Sequence, residues 1–376
     1  MKYLFPILAS ATLLAACNNS STTTTASKTT DSATARTDSF GAGGKLELVY
    51  QDSMHQFTGI SVSPQGEVYV SYPRWAGPYR FAIVKVKDAM NATPFPDTAM
   101  NSWDETQPGL SKWVCVQNTY FDDAGTMWVL DPAAPQLQSI KGKGAKLVKM
   151  DAAGKPARVY GLSSFLQDTS YANDVQVDTK LSYAYLTDSK IGAIIVLNLA
   201  TGKGREVLRG QPSTLSDPAY HFVIDGHEMM KNGKPAKFNS DGIALTPDGQ
   251  YLYYKSVTDD KLYRIKTEAL RDESLSEAAL GGKVEDLGHF CSTDGMVFDK
   301  DGNLYLGDAP NYRMVRIDKN LKMTTLIKDN RLIWPDTYFI RDGYLYITCS
   351  QIHKQPEYNE GNNKRTTPYA VYRMKL

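Results

Sequence analysis

The chain has 376 residues, of which 42% are hydrophobic and 11% aromatic, enough for the buried core of a single sheet-rich domain. Its 42 basic residues nearly balance 41 acidic residues, so the net charge is +1. This balance excludes the broad basic surface typical of nucleic-acid binding, and it gives no general attraction to an anionic membrane.

The first residues have the features of an export signal. Lys2 supplies a positive charge, and the apolar stretch over residues 3–14 is too short to span the ~30 Å of hydrocarbon in a bilayer. Leu14-Ala15-Ala16-Cys17 resembles the lipobox of bacterial lipoproteins. We therefore predict a signal peptide over residues 1–17, lipidation at Cys17 and export to a lipid-anchored position. Asn18, which differs from the Asp of an inner-membrane retention signal, favours the outer membrane. An ordinary signal peptide with a chance cysteine is the alternative.

Residues 18–44 are rich in Ser, Thr and Ala and lack apolar periodicity, which predicts a disordered tether. The folded body is predicted over residues 45–376. It opens with an alternating strand at residues 46–50 and closes with another at residues 369–374. Because a ring of sheets closes by pairing strands from both termini in one blade, these two segments are expected to be neighbours.

A degenerate phrase recurs six times in the body: an apolar alternation, a turn that usually contains glycine, and a second β-rich run. Each copy predicts a β-hairpin, and hairpins that return every ~40–70 residues match the spacing of propeller blades. The sequence therefore predicts an all-β, six-bladed β-propeller. The copies are TGISVSPQGEVYVS (58–71), VQNTYFDDAGTMWVLD (116–131), NDVQVDTKLSYAYLTD (173–188), SDGIALTPDGQYLYYKS (240–256), TDGMVFDKDGNLYLGD (293–308) and PDTYFIRDGYLYITCS (335–350).

The polar residue that opens each copy should face the central channel, because the innermost strand of a blade begins at one mouth of the channel. Converging carboxylates repel each other unless a proton, a cation or a cationic ligand lies among them. Each side chain could instead satisfy backbone N–H groups of the neighbouring blade. The predicted ring consists of Thr58, Gln117 with Asn118, Asn173 with Asp174, Asp241, Asp294 and Asp336.

Several motifs, in their order along the chain, resemble the yellow/major royal jelly protein family. They are PRW (73–75), PFP with NSW (94–103), VQ with MWVLD (116–131), NDVQVD with YLTDS (173–189), DGIAL with PDG and LYY (241–254), and WPDT with GYLYIT (334–348). The resemblance implies a six-bladed propeller. It also implies an activity like that of relatives linked to dopachrome conversion or to the binding of small aromatic amines.

On this interpretation a small aromatic amine or catechol-like ligand lies at the channel mouth. The acidic ring would hold its cation, with Arg74 and Trp75 at the mouth as further ligand-binding residues. A dopachrome-type isomerase would also need an acid and a base. His55 and His289 precede the first and fifth copies and could overhang the channel, but no catalytic residue is assigned.

Two other function classes stay open. A metal-dependent lactonase of the gluconolactonase type would use Asn118, Asn173, Asp241 and Asp294 as oxygen ligands, but Thr58-Gly59 stands where its glutamate is required. A structural Ca²⁺ is compatible with the same residues. Alternatively, the propeller is a non-enzymatic binding platform, for which the insertion at residues 210–239 would serve as a contact loop rather than a lid.

The remaining expectations concern cofactors, cysteines and assembly. No nucleotide-binding or hydrolase motif is present, so no cofactor is expected apart from the Ca²⁺ mentioned above. The odd number of cysteines after Cys17 allows at most one disulfide among Cys115, Cys291 and Cys349, and burial as small apolar residues is the simpler expectation. A monomer without nucleic-acid partners is expected.

Overall fold

The computed structural model describes residues 39–40, 44–75 and 77–376. The predicted signal peptide, Cys17 and most of the tether lie outside these residues. Within them, no helix has both the length and the apolar composition needed to cross a membrane.

Six antiparallel sheets follow one another as the blades of a propeller, which confirms the predicted fold. The innermost strands contact each other in a closed circle, since the first blade touches both the second and the sixth. The strands of blade 1 are Gly59–Val62, Val68–Ser71, Ile83–Val86 and Ala92–Pro94. Those of blade 2 are Asn118–Phe121, Met127–Asp131, Lys146–Met150 and Pro156–Gly161. Those of blade 3 are Ala172–Asp178, Tyr183–Asp188, Ala193–Asn198 and Gly204–Val207.

The second half of the ring repeats this pattern. Blade 4 contains Ser240–Leu245, Tyr251–Ser256, Lys261–Lys266 and Glu285–His289. Blade 5 contains Met296–Phe298, Leu304–Asp308, Arg313–Ile317 and Met323–Lys328. Blade 6 contains Pro335–Arg341, Tyr344–Cys349 and Tyr369–Lys375, and its outermost strand is Glu47–Asp52 from the other end of the chain.

The ring is closed by the two terminal segments, as predicted. Glu47 pairs with Arg373 and Asp52 with Tyr369 in an antiparallel ladder, so the C-terminal strand has hydrogen-bonded neighbours on both sides. Within the predicted tether, Ser39–Phe40 form a short strand. This strand pairs in parallel with Thr324 and Thr325 at the outer edge of blade 5.

The hairpin turns explain the glycines of the repeated phrase. A tight β-hairpin needs a residue with positive φ, which glycine adopts without a steric penalty. Blade 3 is the exception, because its turn has Ser182 at φ 57°. The turn glycines of the other five blades have φ between 73° and 81°, and they are Gly66, Gly125, Gly249, Gly302 and Gly343.

The core lies between the blades. Buried apolar side chains form clusters that each join neighbouring sheets, for example Leu130 and Leu147 of blade 2 with Val175 and Leu186 of blade 3. Burial of this apolar surface is the main driving force for the ring to close. The predicted burial of the cysteines is confirmed, since Cys115, Cys291 and Cys349 are all buried and unpaired.

Additional short elements decorate the ring. The 210–239 insertion forms two small hairpins, Val223–Ile224 with His227–Glu228 and Met230–Lys231 with Lys234–Pro235. Two short helices, Thr267–Arg271 and Glu277–Gly281, connect the outer strands of blade 4. Single 3-10 turns occur at Gly109–Ser111, Pro135–Leu137, Ala309–Asn311, Ile352–Lys354 and Pro356–Tyr358.

Candidate functional site

A cavity of about 280 Å³ lies at the mouth of the channel where the innermost strands begin. We call it the mouth cavity. It is close to the lower end of the size range of small-molecule sites. The strand starts bring part of the predicted ring together on its floor, and five ring residues line it: Gln117, Asn173, Asp241, Asp294 and Asp336.

Aromatic side chains form the walls of the mouth cavity. Trp75, Tyr171, Phe238, Trp334 and Tyr358 all line it, so Trp75 lies where the sequence analysis predicted. The Trp75 Nε1 donates a hydrogen bond to the Tyr171 hydroxyl at 2.7 Å, and that hydroxyl donates to the Gln117 Oε1 at 2.7 Å. The Phe238 ring centroid lies 6.3 Å from that of Trp334 and 5.9 Å from that of Tyr358. The walls are therefore fixed by hydrogen bonds and ring contacts.

The floor is acidic and incompletely hydrogen-bonded. The Trp334 Nε1 donates to the Asp294 Oδ2 at 2.6 Å. By contrast, the Asp241 Oδ1 and the Asp336 Oδ2 are buried without an N–H or O–H donor among the described residues. Buried polar atoms of this kind are rare in native proteins and call for an explanation. The hydrogen bonds of the described residues thus leave two carboxyl oxygens of the floor without a partner, with Ser350 close to Asp336 and Asp294 close to Asp241.

Burial and mutual repulsion keep part of the floor protonated. Burial raises the pKa of Asp294 to about 6. The hydrogen bonds with Trp334 and Asp241 and the positive charge of Lys255 lower this pKa, but burial has the larger effect. Burial, together with repulsion by Asp294, raises the pKa values of Asp241 and Asp336 well above the usual range. Asp241 is close enough to Asp294 for a proton on its carboxyl to be shared between the two.

Asn118 and Asp174 lie further along the channel than the rest of the predicted ring. They line a larger cavity of about 990 Å³ at the other mouth, which we call the opposite cavity. The Asn118 Nδ2 donates to the Asp174 Oδ1 at 3.0 Å. Asp174 remains half-buried because it faces the open channel, and burial together with repulsion by Asp294 raises its pKa to about 7.

The opposite cavity is the weaker candidate despite its size. Two of its carboxylates are used by their own hairpins: Asp122 accepts bonds from the Thr126 N–H and the Trp128 Nε1, and Asp299 accepts from Asn303 and Tyr305. These groups have a structural role in the turns. The mouth cavity, in contrast, combines fixed aromatic walls with free carboxyl oxygens.

Arg74 does not line the mouth cavity. Its guanidinium lies 4.2 Å from the ring centroid of Tyr79 and 5.3 Å from that of Trp103, and it donates to the Trp103 carbonyl at 3.3 Å. Cation–π contacts and a backbone acceptor therefore hold it away from the ligand position predicted for it. Thr58 is completely buried, and its hydroxyl donates to the Gln117 carbonyl of the next blade at 3.4 Å.

None of the histidines in the described residues lines the mouth cavity. His55 contacts Asp52 and His289 contacts Asp260, so neither overhangs the floor. His353 is stacked behind Trp334, with ring centroids 5.7 Å apart, and burial lowers its pKa to about 4. The titratable groups that line this cavity are therefore carboxyls, lysines and tyrosines rather than histidines.

The 210–239 insertion covers one side of the mouth. Lys231, Lys237, Phe238 and Asn239 contribute to the lining, so the segment forms part of a wall rather than a separate contact loop. Lys231 forms an ion pair with Glu357 at 2.6 Å, which fastens the insertion to the loop between the strands Tyr344–Cys349 and Tyr369–Lys375 of blade 6.

The lactonase alternative predicted four oxygen ligands, and three of them line one cavity while the fourth does not. Asn118 faces the opposite cavity, whereas Asn173, Asp241 and Asp294 face the mouth cavity. A Cβ on Gly59 would lie 2.8 Å from the Asn118 Oδ1, so the position expected to carry glutamate has no room for one. Among the described residues, no group of three or more His, Cys, Asp or Glu side chains is arranged to hold a metal ion. The structural Ca²⁺ stays a prediction.

The raised carboxyl pKa values predict that the protein becomes less stable as the pH rises. The folded state retains protons on Asp174, Asp294 and Glu206, whose pKa values are raised to about 7, 6 and 7, whereas the unfolded chain releases them above about pH 4. Their stabilising contribution is thus complete below about pH 4 and is lost as the pH approaches 7. We expect the Tm from differential scanning calorimetry to fall by a few degrees between pH 5.5 and 7.5.

The Asp336→Asn variant tests the origin of this slope, because it removes one carboxyl with a raised pKa from the floor. Its Tm should depend less on pH than that of the wild type, whereas Asp248→Asn, at an exposed turn, should keep the full slope. A wild-type Tm that is constant or rises over this range would contradict the proposed protonation of the floor.

Several wall residues were missed by the sequence analysis. Each aromatic side chain precedes a ring residue by two or three positions: Tyr171 before Asn173, Phe238 before Asp241, and Trp334 before Asp336. An aromatic residue two or three positions before a ring residue could therefore have been used to predict the walls from the sequence. Tyr358 and the lysines come from loops outside the repeats, which the repeated phrase does not describe.

The comparisons with known proteins bear on the family and the fold. The family model described as "Major royal jelly protein" matches residues 114–375, which is more than half of the chain. The comparison with curated proteins finds no match to the sequence.

Solved structures with the same fold have distant sequences. A luciferin-regenerating enzyme has 12% identity and a TM-score of 0.53, with 89% of this chain and 96% of that chain covered. An aldose sugar dehydrogenase from Streptomyces coelicolor has 12% identity and a TM-score of 0.51, covering 90% and 99%. A gluconolactonase from Xanthomonas campestris has 13% identity and a TM-score of 0.50, covering 89% and 90%. At these identities the likeness indicates the fold alone.

Proposed function

The chain belongs to the major royal jelly protein family, and we propose that it binds a small aromatic amine in the mouth cavity. The observation that carries the proposal is the position of free, buried carboxyl oxygens of Asp241 and Asp336 beneath fixed aromatic walls. An ammonium group is the complement of such a floor, and a flat ring is the complement of such walls.

Binding of the cation would couple to loss of protons from the floor. An ammonium favours ionised carboxyls, whereas the free protein keeps some of them protonated because their pKa values are raised. The affinity should therefore increase as the pH rises through 6 to 7, and protons should be released on binding. This linkage distinguishes an amine site from a site that recognises the aromatic ring alone.

Isothermal titration calorimetry with tryptamine and with its neutral analogue, indole-3-ethanol, tests the proposal. We expect tryptamine to bind at least tenfold more tightly, because only the amine can replace the protons of the floor. Its apparent enthalpy should differ between phosphate and Tris buffers, which have different ionisation enthalpies. Equal affinity for the two compounds, or no binding of either, would contradict the proposal, and the absence of binding would favour the platform.

A dopachrome-type isomerase is the second candidate. The observation in its favour is the contact between Asp241 and Asp294, whose raised pKa values suit proton transfer near neutral pH. In that reaction one carboxyl would remove a proton from the ligand and its neighbour would return one.

The proposed ligand is expected to be encountered outside the cytoplasm. The predicted lipidation of Cys17 would hold the propeller at the surface of the membrane, with the cavity open to small solutes. This part of the proposal rests on the sequence motif at residues 14–17.

A further inference from the structure

The rim of the mouth cavity carries lysines that form no ion pair within the described part of the chain, although the charge of Asp188 acts on Lys190. Three lysines line the cavity, and Lys231 is neutralised by Glu357 at 2.6 Å. Lys190 instead donates to the Leu137 and Gln138 carbonyls, at 2.7 and 3.1 Å. Lys237 likewise donates to the Asp217 and Tyr220 carbonyls, at 2.7 and 3.1 Å. No carboxylate of the described residues forms an ion pair with either of these two ammonium groups.

These two lysines lie on the same side of the mouth. The segment that carries Lys237 is fastened to the segment that carries Lys190, because the Asn239 Nδ2 donates to the Lys190 carbonyl at 3.0 Å and the Asn239 N–H donates to the Ser189 carbonyl at 3.2 Å. We call Lys190 and Lys237 the cationic rim.

The cationic rim is close to the acidic floor. Lys237 precedes Asp241 by four positions, and over that step an extended chain separates the two Cα atoms by at most about 14 Å. The charges are ordered by depth, since both lysines are exposed whereas Asp241 is nine-tenths buried. A molecule with an aromatic body could therefore contact the floor at one end and the rim at the other.

We propose that the cationic rim is an anion subsite, and that the ligand is an aromatic amine with an anionic group at the end opposite its amine. This inference rests on the proposed function, because it requires the amine to be held by the floor. An α-amino acid does not meet the requirement, since its ammonium and carboxylate are attached to the same carbon. The carboxylate of a suitable ligand would accept charge-assisted hydrogen bonds from the two ammonium groups.

Three probes with the same phenethylamine skeleton test the subsite by calorimetric titration at pH 7.5. Phenethylamine has the amine alone, 4-(2-aminoethyl)benzoate adds a carboxylate at the far end of the ring, and L-phenylalanine adds one beside the amine. We expect the benzoate to bind about five- to tenfold more tightly than phenethylamine at low ionic strength, and the advantage to shrink as salt is added. L-Phenylalanine should gain no such advantage.

A double variant assigns the effect to the rim. Lys190→Met with Lys237→Met should abolish the preference for the benzoate over phenethylamine. Phenethylamine itself should bind at least as tightly as to the wild type, because its ammonium no longer faces two positive charges. If that pair of variants lowers the Tm, Lys190→Gln with Lys237→Gln serves instead. Lys234→Met is the matched control, because Lys234 is an exposed lysine of the same insertion that does not line the cavity.

The outcomes separate this inference from the proposed function. If phenethylamine binds and the benzoate binds no more tightly, or if the double variant retains the preference for the benzoate, the anion subsite is wrong and the amine site stands. If neither phenethylamine nor the benzoate binds, the proposed function fails together with the inference.

Discussion

Asparagine in place of both Asp241 and Asp294 is expected to weaken the binding of tryptamine by about 100-fold, which corresponds to about 2.7 kcal/mol. The substitution keeps the shape of the floor but removes the charge that would face the ammonium. A buried cation left without a counterion loses much of its interaction energy. Isothermal titration calorimetry measures the change, and binding of indole-3-ethanol should be nearly unaffected.

The same variant should not be less stable than the wild type at pH 7.5, because it removes repulsion between carboxyls on the floor. Loss of binding without loss of stability distinguishes a ligand-binding role from a structural one.

Asp248→Asn, at an exposed turn, is the control for charge alone. A double variant that binds tryptamine within threefold of the wild type would rule out Asp241 and Asp294 as the counterions of the amine. Unchanged dopachrome conversion in this variant would rule out the carboxyl pair as the acid and base of an isomerase.

Asp131→Ala is expected to destabilise the propeller by about 3–5 kcal/mol, because it breaks a buried ion pair. The Lys146 Nζ lies 2.8 Å from the Asp131 Oδ2, and both side chains are completely buried. Asp131 also accepts bonds from the backbone N–H groups of Val114, Cys115 and Ala133. The variant would leave a buried ammonium and three buried donors without their carboxylate.

Urea denaturation measures this loss as a change in the free energy of unfolding. The control is Lys85→Met, which breaks a surface pair with Glu67 at 2.5 Å. Both of its side chains are 40% exposed, so that variant should cost less than about 1 kcal/mol. A change of less than 1 kcal/mol for Asp131→Ala would contradict the role assigned to the buried pair.

The architecture could be predicted from the sequence because it depends on local signals that repeat. A turn glycine such as Gly249, flanked by alternating strands, specifies a hairpin wherever it occurs. Five hairpins of this kind and a sixth with Ser182 in its turn imply a ring. The pairing of Glu47–Asp52 with Tyr369–Lys375 followed from the need to cover the last sheet edge.

The site could be predicted only in part. Asp241, Asp294 and Asp336 lie within two residues of the start of their innermost strands, so the repeat alone brought them to one mouth. Within the pairs Gln117 with Asn118 and Asn173 with Asp174, the first member faces the mouth cavity and the second faces the opposite cavity. Successive side chains of a strand point in opposite directions. Both members of each pair are polar, so the hydrophobic pattern does not tell which of the two faces the mouth cavity.

Loops account for the rest of the site. Phe238 and Lys237 reach the cavity only because the 210–239 insertion folds over the ring, which no periodicity describes. Lys190 comes from the turn between the strands Tyr183–Asp188 and Ala193–Asn198 of blade 3. Arg74 was expected at the mouth from its place after the first hairpin, but Tyr79 and Trp103 offer its guanidinium two aromatic faces. Such a choice between partners depends on tertiary contacts rather than on sequence spacing.

A crystal structure of the protein with bound tryptamine is the most direct test of the acidic floor. We predict that the ligand nitrogen lies within hydrogen-bonding distance of a carboxyl oxygen of Asp241, Asp294 or Asp336, with the indole against the aromatic walls. An indole in the same cavity with its nitrogen turned towards solvent, or tryptamine bound only in the opposite cavity, would contradict the account.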